Sequence, residues 1–178
     1  MFSGIMLEDM VAKKINDLIN SLRDTGAEVK WVEMRNLHIT VMFYGEVDGN
    51  EIINIKKRLA QTASSNGRFE VEFTGIGGFP SINNPRVIWV DIKGGEKLRN
   101  IIEMVNNGKR QHEEIVLHLT IGRSKGSRNK RELVNLLKKE VDRGFGKMII
   151  GSIQLIKSKL TSKGAIYEVI ENYQLNKN

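Results

Sequence analysis

The spacing of apolar residues along the chain predicts four amphipathic helices. Apolar side chains recur every three or four residues in the windows 11–22, 52–63, 98–105 and 133–141. This spacing places them on one face of a helix, and a glycine follows the first, third and fourth windows as a stop signal. Asn129, three residues before Glu132, predicts a capping box at the start of the fourth helix.

Strand-like apolar runs lie between the helical windows. They occupy residues 2–7, 37–44, 69–76, 86–92, 115–123, 148–157 and 165–170. Short hairpin-like connections join some of these runs, at 81–85 and 161–164. Strands mixed with helices in this way predict an α+β fold, with two antiparallel sheets flanked by helices.

The order of the predicted elements indicates an internal repeat. The units 37–92 and 117–170 both read strand, helix, strand, hairpin, strand, and a helix precedes each unit. Two copies of one unit can pack about a pseudo-twofold axis. We therefore predict a single bilobal domain over residues 1–178 with a central cleft between the two lobes.

Composition limits the class of protein. The chain has 178 residues, of which 40% are hydrophobic and 28% charged, so disorder is not expected. It has no cysteine, which excludes a disulfide framework, a thiol nucleophile and a cysteine zinc site. No apolar run approaches the roughly 18 to 20 residues that span a bilayer, and no basic stretch followed by an apolar core opens the chain. We expect a cytoplasmic protein.

Positive charge is concentrated in one segment of a chain whose net charge is +7. The segment 123–139 contains Arg123, Lys125, Arg128, Lys130, Arg131, Lys138 and Lys139. Glu132 is its only acid, and such an excess attracts polyanions, of which nucleic acid is the usual one. A solvated helix face is the alternative interpretation.

Two strand-like runs carry the same polar pair. The first reads "NLHITVMFYG", with His38 and Thr40, and the second reads "VLHLTIGR", with His118 and Thr120. Side chains alternate between the faces of a strand, so a His and a Thr two residues apart share one face. The pseudo-twofold arrangement would bring the two histidines to face each other across the cleft.

A facing pair of histidines suits in-line displacement at phosphorus. One neutral imidazole accepts a proton from the nucleophile, and a protonated one donates to the leaving oxygen. Thr40, Thr120 and Arg123 would donate hydrogen bonds to the phosphate oxygens. We expect His118 to be the neutral base, because Arg123 disfavours a charged imidazole beside it, and His38 to be the protonated acid.

Other interpretations of these residues are weaker. A lone histidine in a strand is commonly structural, but two in matched contexts favour function. No metal site is expected, because the chain has three histidines and no His-x-His or HExxH spacing. The sequence has no G-x-S-x-G, and "TGIGGFP" precedes a hairpin, so we interpret it as a strand that ends in a turn. His112 has no repeat partner and is expected on the surface.

The chain resembles the two-histidine phosphoesterases, and within them the RNA 2′,3′-cyclic phosphodiesterases, formerly known as 2′-5′ RNA ligases. The likeness covers almost the whole chain. It rests on "KWVEMRNLHITVMFYGEV", "GGFPSINNPRVIWV", "LHLTIGR" and "KSKLTSKGAIYEVI". Arg123 after the second H-x-T and Phe43 after the first make the pair of motifs specific. Leu117 stands where the family commonly has proline, and Tyr44 where it commonly has leucine.

The resemblance implies a bilobal fold with the active site in the cleft. It implies hydrolysis of an RNA terminal 2′,3′-cyclic phosphate to a 2′-phosphomonoester without a metal or another cofactor, and an associated ligase activity. His38 and His118 would be catalytic, Thr40, Thr120 and Arg123 would bind phosphate, and Phe43 would contact the substrate. We expect a monomer whose partner is RNA with a cyclic phosphate end.

Two further functions fit the same residues. A module that binds RNA ends without cleaving them would need only the basic segment 123–139. A phosphoesterase acting on a small nucleotide would keep the chemistry and change the substrate. Turnover on a cyclic-phosphate oligonucleotide separates the first from an enzyme, and rates on a mononucleotide and an oligomer separate the second.

Overall fold

The computed structural model describes residues 1–107, 115–162 and 164–177. The α+β fold with two antiparallel sheets is confirmed. The strands are β1 (Phe2–Met6), β2 (Val29–Trp31), β3 (His38–Phe43), β4 (Phe69–Phe79), β5 (Val87–Lys93), β6 (His118–Ser124), β7 (Gly144–Ile150), β8 (Ser152–Thr161) and β9 (Gly164–Gln174). The helices are α1 (Asp9–Arg23), α2 (Gly49–Ser64), α3 (Glu96–Val105) and α4 (Lys130–Lys139). The surface position expected for His112 lies outside the described residues.

The four helices begin and end close to the predicted windows. α2 has a complete capping box, in which the Asp48 side chain accepts from the Glu51 amide at 2.8 Å and Glu51 accepts from the Asp48 amide at 3.1 Å. The capping box predicted at Asn129 is wrong. Asn129 has φ 51° and makes no side-chain cap bond, because its amide instead donates to the Thr25 carbonyl at 2.9 Å.

The strands form a four-stranded sheet of order β3-β1-β8-β9 and a five-stranded sheet of order β2-β6-β5-β4-β7. Three details differ from the sequence-based prediction. The run 148–157 contains parts of two strands, because Gly151 separates β7 from β8. The three-residue strand β2 was not predicted, and β4 continues through the glycines of "TGIGGFP" to Phe79.

The predicted repeat units 37–92 and 117–170 each contain strands of both sheets. The sequence strand, helix, strand, helix, strand occurs first as β1-α1-β3-α2-β4 and then as β5-α3-β6-α4-β8, with β2, β7 and β9 as additions. In each half the last strand leaves its own sheet. β4 pairs with β5 of the second half, and β8 pairs with β1 of the first half.

The helices pack against one face of each sheet, and the motif histidines and threonines lie on the other face. The covered faces contribute fully buried side chains such as Ile39, Leu119 and Ile121, which pack with Leu18 and Leu98 of the helices. Burial of this kind contributes roughly 25 cal/mol per Å² of apolar surface. In the part of the chain that the structure describes, no helix is both long and apolar enough to cross a membrane.

Candidate active site

Each motif histidine is fixed by a backbone carbonyl two residues before it. His38 Nδ1 lies 2.7 Å from the Asn36 oxygen, and His118 Nδ1 lies 2.8 Å from the Val116 oxygen. A carbonyl only accepts, so Nδ1 carries the hydrogen in both rings. In the neutral form the other nitrogen, Nε2, is therefore free to accept a proton. Both histidines thus offer the same atom to the site.

The Thr40 hydroxyl lies beside the reactive nitrogen of His38. Thr40 Oγ1 is 3.2 Å from His38 Nε2, so the hydroxyl donates to the neutral ring. Alternation along β3 brings these two side chains to one face, as the sequence predicts. A bound phosphate can replace Nε2 as the acceptor of this hydroxyl hydrogen.

A β-bulge brings Phe43 to the same face as His38. Gly4 of β1 lies opposite Thr40, and Phe2 lies opposite Phe43. These two pairs are two residues apart on β1 but three apart on β3, so β3 contains one extra residue. Strict alternation would turn Phe43 toward the core. With the bulge, it is 65% exposed and its ring centroid is 5.7 Å from that of Phe2.

A second bulge does the same for Arg123. Trp89 lies opposite Thr120 and Val87 opposite Arg123, with two steps on β5 and three on β6. His118, Thr120 and Arg123 therefore share one face although the spacing from histidine to arginine is five residues. The sequence motifs show this spacing, but only the register explains it.

Five of the six residues proposed from the sequence line one cleft of ≈ 520 Å³ between β3 and β6. They are Thr40, Phe43, His118, Thr120 and Arg123. The sixth, His38, contacts Thr40 through Nε2. The structure therefore brings together the residues that the H-x-T motifs predicted.

Aromatic rings surround both histidines, and sequence reasoning did not assign them to the site. The Phe2 and Tyr167 centroids are 4.8 Å and 5.3 Å from that of His38. On the other side, Phe79 and Trp89 are 5.2 Å and 6.3 Å from His118. Phe2 and Trp89 lie on β1 and β5, which are the strands next to the motif strands. Aromatic residues on those strands were the available signal.

The environment of His38 opposes the role predicted for it. Burial lowers the pKa of His38 below its ordinary value, and the hydrogen bond to the Asn36 carbonyl opposes this only in part. The neutral form is therefore favoured, whereas the sequence-based prediction made His38 the protonated acid. That prediction considered the charge of Arg123 but could not include the burial of His38.

The charge of Arg123 affects a tyrosine of the four-stranded sheet, which also carries His38. Burial raises the pKa of the Tyr167 hydroxyl, and the positive charge of Arg123 opposes this rise. Tyr167 itself packs edge-on against His38, with an angle of 87° between the rings. The positive charge of Arg123 thus acts on a residue that packs against His38.

A hydrogen bond and a close backbone contact fix the position of the His38 side chain. The Asn36 side chain is buried and donates to the Ala165 carbonyl at 2.8 Å, which ties the β8–β9 hairpin to the start of β3. Gly4 lies next to the imidazole, where a Cβ would be 3.4 Å from His38 Cδ2 and 2.9 Å from the Ile39 oxygen. A larger residue than glycine would therefore displace the ring or the strand.

The basic segment 123–139 does not form one surface. Arg123 lines the cleft, whereas Lys138 and Lys139 lie in the last turn of α4. Arg128 is 3.9 Å from Glu28, and Arg131 is 3.6 Å from Glu132. The solvated helix face considered from the sequence therefore describes the α4 part of the segment.

Comparisons with known proteins give the class of protein to which this fold belongs. The family described as LigT like Phosphoesterase matches residues 5–89. A structure from Thermus thermophilus has a TM-score of 0.81 at 22% identity, covering 99% of this chain and 97% of that one. E. coli LigT complexed with 3′-AMP has a TM-score of 0.76 at 15% identity, covering 99% and 97%. The fold is that of the LigT-like phosphoesterases.

Curated relatives identify the family more narrowly. A protein of Methanocaldococcus jannaschii is 35% identical over 97% of this chain and 99% of its own length. One of Archaeoglobus fulgidus is 31% identical over 98% and 99%. Both are named RNA 2′,3′-cyclic phosphodiesterase. The chain belongs to the RNA 2′,3′-cyclic phosphodiesterase family.

Proposed function

We propose that this protein hydrolyses the terminal 2′,3′-cyclic phosphate of RNA to a 2′-phosphomonoester. The observation that carries the proposal is the pair of carbonyl-fixed histidines, of which His118 lines the cleft and His38 contacts Thr40, which also lines it. The names of the curated relatives support the substrate. The residues of the chain supply acid, base and phosphate ligands without a further group.

The reaction needs one base and one acid on opposite sides of phosphorus. The base removes a proton from water as the water oxygen attacks phosphorus, and the bond from phosphorus to O3′ breaks. The acid gives a proton to the departing O3′, which becomes a hydroxyl, while O2′ keeps the phosphate. Hydrogen bonds from Thr40, Thr120 and Arg123 stabilise the charge that develops on the non-bridging oxygens.

We assign the base to His38 and the acid to His118. Burial lowers the pKa of His38 and favours its neutral form, and Nε2 is the atom without a hydrogen in that form. His118 shares its face with Arg123. The negative charge of the phosphate oxygens bound there compensates for the positive charge of a protonated His118 beside the guanidinium group. This assignment reverses the one that the sequence suggested.

A product assay tests the activity. The purified protein, incubated in EDTA with an oligonucleotide that ends in a 2′,3′-cyclic phosphate, should yield a 2′-phosphate. His38→Ala and His118→Ala should each lower kcat by about 10²- to 10⁴-fold, which is the usual contribution of acid–base catalysis. His112→Ala is the matched control, since it lies outside both motifs. Full turnover by both motif variants would exclude the proposed site.

A modified leaving group tests the two roles. Sulfur in place of O3′ leaves as a thiolate and needs no proton from an acid. This substrate should restore turnover to His118→Ala and leave His38→Ala inactive. Restoration of His38→Ala alone would return the roles to those suggested by the sequence.

Phe43 completes the substrate site on the first lobe. Its exposed ring lies at the cleft, and an exposed aromatic ring offers a face on which the terminal base can stack. Stacking of this kind contributes roughly 1–3 kcal/mol per base. Phe43→Ala should therefore raise KM more than it lowers kcat, whereas Phe43→Trp should keep KM close to that of the unaltered protein.

The same geometry supports ligation. A 5′ hydroxyl of a second RNA can take the place of water, and His38 would deprotonate it as it attacks phosphorus. The product would be a 2′-5′ linkage with a free 3′ hydroxyl. Formation of this linkage at high concentrations of 5′-hydroxyl RNA, and its loss in His38→Ala, would support a ligase activity.

The assembly and location remain proposals. We propose a monomer, since both motifs and both phosphate-binding threonines come from one chain and meet at one cleft. We also propose a cytoplasmic location, in keeping with the composition of the chain. Light scattering at the concentration of the activity assay tests the first, and fractionation of cells tests the second.

A further inference from the structure

The second lobe is wider than the first by one strand. β3 is the outermost strand of the four-stranded sheet, whereas β6, its counterpart, is followed by β2 at the edge of the five-stranded sheet. β2 has only three residues, Val29–Trp31, and pairs with β6 at the end that carries Arg123. The added strand therefore extends the site face next to Arg123 and nowhere else along β6.

The central residue of this strand places a second positive charge beside Arg123. Lys30 lies directly opposite Arg123 in the antiparallel register. Residues opposite each other project from the same face, with Cβ atoms roughly 4.5–5.5 Å apart, and like charges in this position destabilise a sheet. Both side chains are exposed, and neither is within 4.0 Å of a carboxylate among the described residues.

The nearest acidic residue in sequence does not neutralise the positive charge of Lys30 and Arg123. Glu28, two residues before Lys30, has its carboxylate 3.9 Å from Arg128. Its backbone oxygen accepts the Lys125 amide at 2.7 Å, which holds the end of β6 against the start of β2. The position of Lys30 beside Arg123 is thus built into the backbone pairing, and its charge is left for an external anion.

We infer that Lys30 holds a backbone phosphate of RNA upstream of the cyclic end. The inference rests on the proposed hydrolysis of cyclic phosphate, and it makes an oligonucleotide, rather than a mononucleotide, the substrate that the site fits. Arg123 contacts the cyclic phosphate at the cleft. Lys30, one strand farther out, contacts the phosphodiester on the 5′ side of the terminal nucleoside. The RNA strand leaves the cleft over β2.

The first lobe shows why the RNA leaves in this direction. The position that matches Arg123 is Phe43, which is aromatic and lines the cleft. The buried Phe2 ring packs behind Phe43, and the half-buried Tyr167 packs against Phe2 on the same lobe. Bases stack on an aromatic ring such as that of Phe43 and phosphates do not, so the terminal base belongs on the first lobe and the phosphate backbone on the second.

Charge reversal at Lys30 tests the inference. The substrates are a cyclic mononucleotide with a free 5′ hydroxyl, which has no upstream phosphate, and a hexanucleotide that ends in a 2′,3′-cyclic phosphate. Lys30→Glu should lower kcat/KM for the hexanucleotide by about tenfold at low salt. The slope of log(kcat/KM) against log[salt] should fall by about 0.7, the value for one phosphate contact of a single strand. The rate on the mononucleotide should fall less, because the new carboxylate can weaken Arg123 opposite it but removes no contact to an upstream phosphate.

Matched variants control for charge and folding. Lys57→Glu, on the exposed side of α2, changes the net charge equally and should leave both substrates unaffected. Lys30→Arg should retain the hexanucleotide rate. Equal losses on the two substrates, or equal effects of Lys30→Glu and Lys57→Glu, would overturn the inference.

A binding measurement separates this inference from the proposed reaction. If the unaltered protein hydrolyses neither substrate, the proposed function fails, and Lys30 is then tested with a fluorescent hexanucleotide that ends in a 3′ phosphate. Lys30→Glu must raise the Kd of this probe about tenfold relative to Lys57→Glu. Unchanged affinity would exclude Lys30 as a phosphate ligand whatever the activity.

Discussion

His38 and His118 occupy equivalent positions in two strands, but their surroundings differ. Tyr167 and Phe2 cover His38, whose pKa burial lowers, whereas His118 packs against Phe79 and Trp89. The motif gives both residues the same tautomer, since both donate Nδ1–H to a carbonyl. The acid and base roles therefore depend on packing by residues outside the motifs.

The first prediction concerns pH. A lowered pKa keeps His38 neutral to lower pH, so the acid limb of kcat/KM should lie below about 6.5, the ordinary histidine value. Tyr167→Ala removes part of the cover and should move this limb toward higher pH. The lowered pKa of His38 also makes the stability of the fold depend on pH. It stabilises the fold above the unfolded-state pKa of His38, and this contribution is lost as pH falls through the lower folded-state pKa. If the acid limb of kcat/KM lay at the same pH in the unaltered protein and in Tyr167→Ala, the assignment of His38 as the base would be contradicted.

The second prediction concerns the space beside His38. Gly4→Ala places a Cβ 2.9 Å from the Ile39 oxygen and 3.4 Å from the imidazole, so the ring or β3 must move. We expect a loss of about 1–3 kcal/mol in the free energy of unfolding, together with a lower kcat. Gly49→Ala is the control, since a Cβ there meets nothing within 4 Å. Urea unfolding and turnover of the two variants provide the measurement, and equal values would show that the site tolerates a methyl group at Gly4.

At the scale of elements, the hydrogen bonds at a helix end contribute to the stability of the whole protein. The capping box of α2 is complete, and Asp48→Ala should lower the free energy of unfolding by about 0.5–2 kcal/mol without changing kcat, because α2 packs on the face away from the cleft. Asp17→Ala on the exposed side of α1 should change stability less. The comparison is made by denaturant titration, and an equal effect of the two changes would remove the cap as the cause.

The sequence predicted the helices and most strands because each has a periodic apolar face of its own. It did not predict β2, whose three residues are too few to show a period. Asn129 resembled a cap because the pattern records only residue types, while its conformation follows from contact with Thr25. The bulges were also hidden, because a bulge is a property of two paired strands and only one of them carries the motif.

At the scale of the molecule, the exchange of β4 and β8 joins the two sheets. Each sheet contains a central strand that belongs to the other half of the chain, so neither half buries its apolar face alone. Sequence could not predict this exchange, since pairing between distant strands leaves no local pattern. The order of elements predicted the repeat, and the units 37–92 and 117–170 stay a prediction.

One cooperative transition is the expected result of this exchange. Fluorescence reports on the five-stranded sheet, because both tryptophans, Trp31 and Trp89, lie in it. Far-UV circular dichroism reports on the whole chain. The two unfolding curves should coincide in urea, and a fragment of residues 1–79, which ends with β4, should remain unfolded. Separate transitions would mean that the sheets fold independently.

The two bulges have a consequence for the choice between the two ester bonds. A 2′,3′-cyclic phosphate is nearly symmetric about phosphorus, and a site with two equivalent halves could cleave it at either oxygen. The bulges set one unlike pair, Phe43 and Arg123, at matching places on the two halves. Arg123→Phe makes these two positions alike, so the cyclic phosphate should bind in both orientations. The variant should be slow and should release 2′- and 3′-phosphates together, which chromatography of the products resolves; a pure 2′-phosphate would show that regiochemistry is set elsewhere.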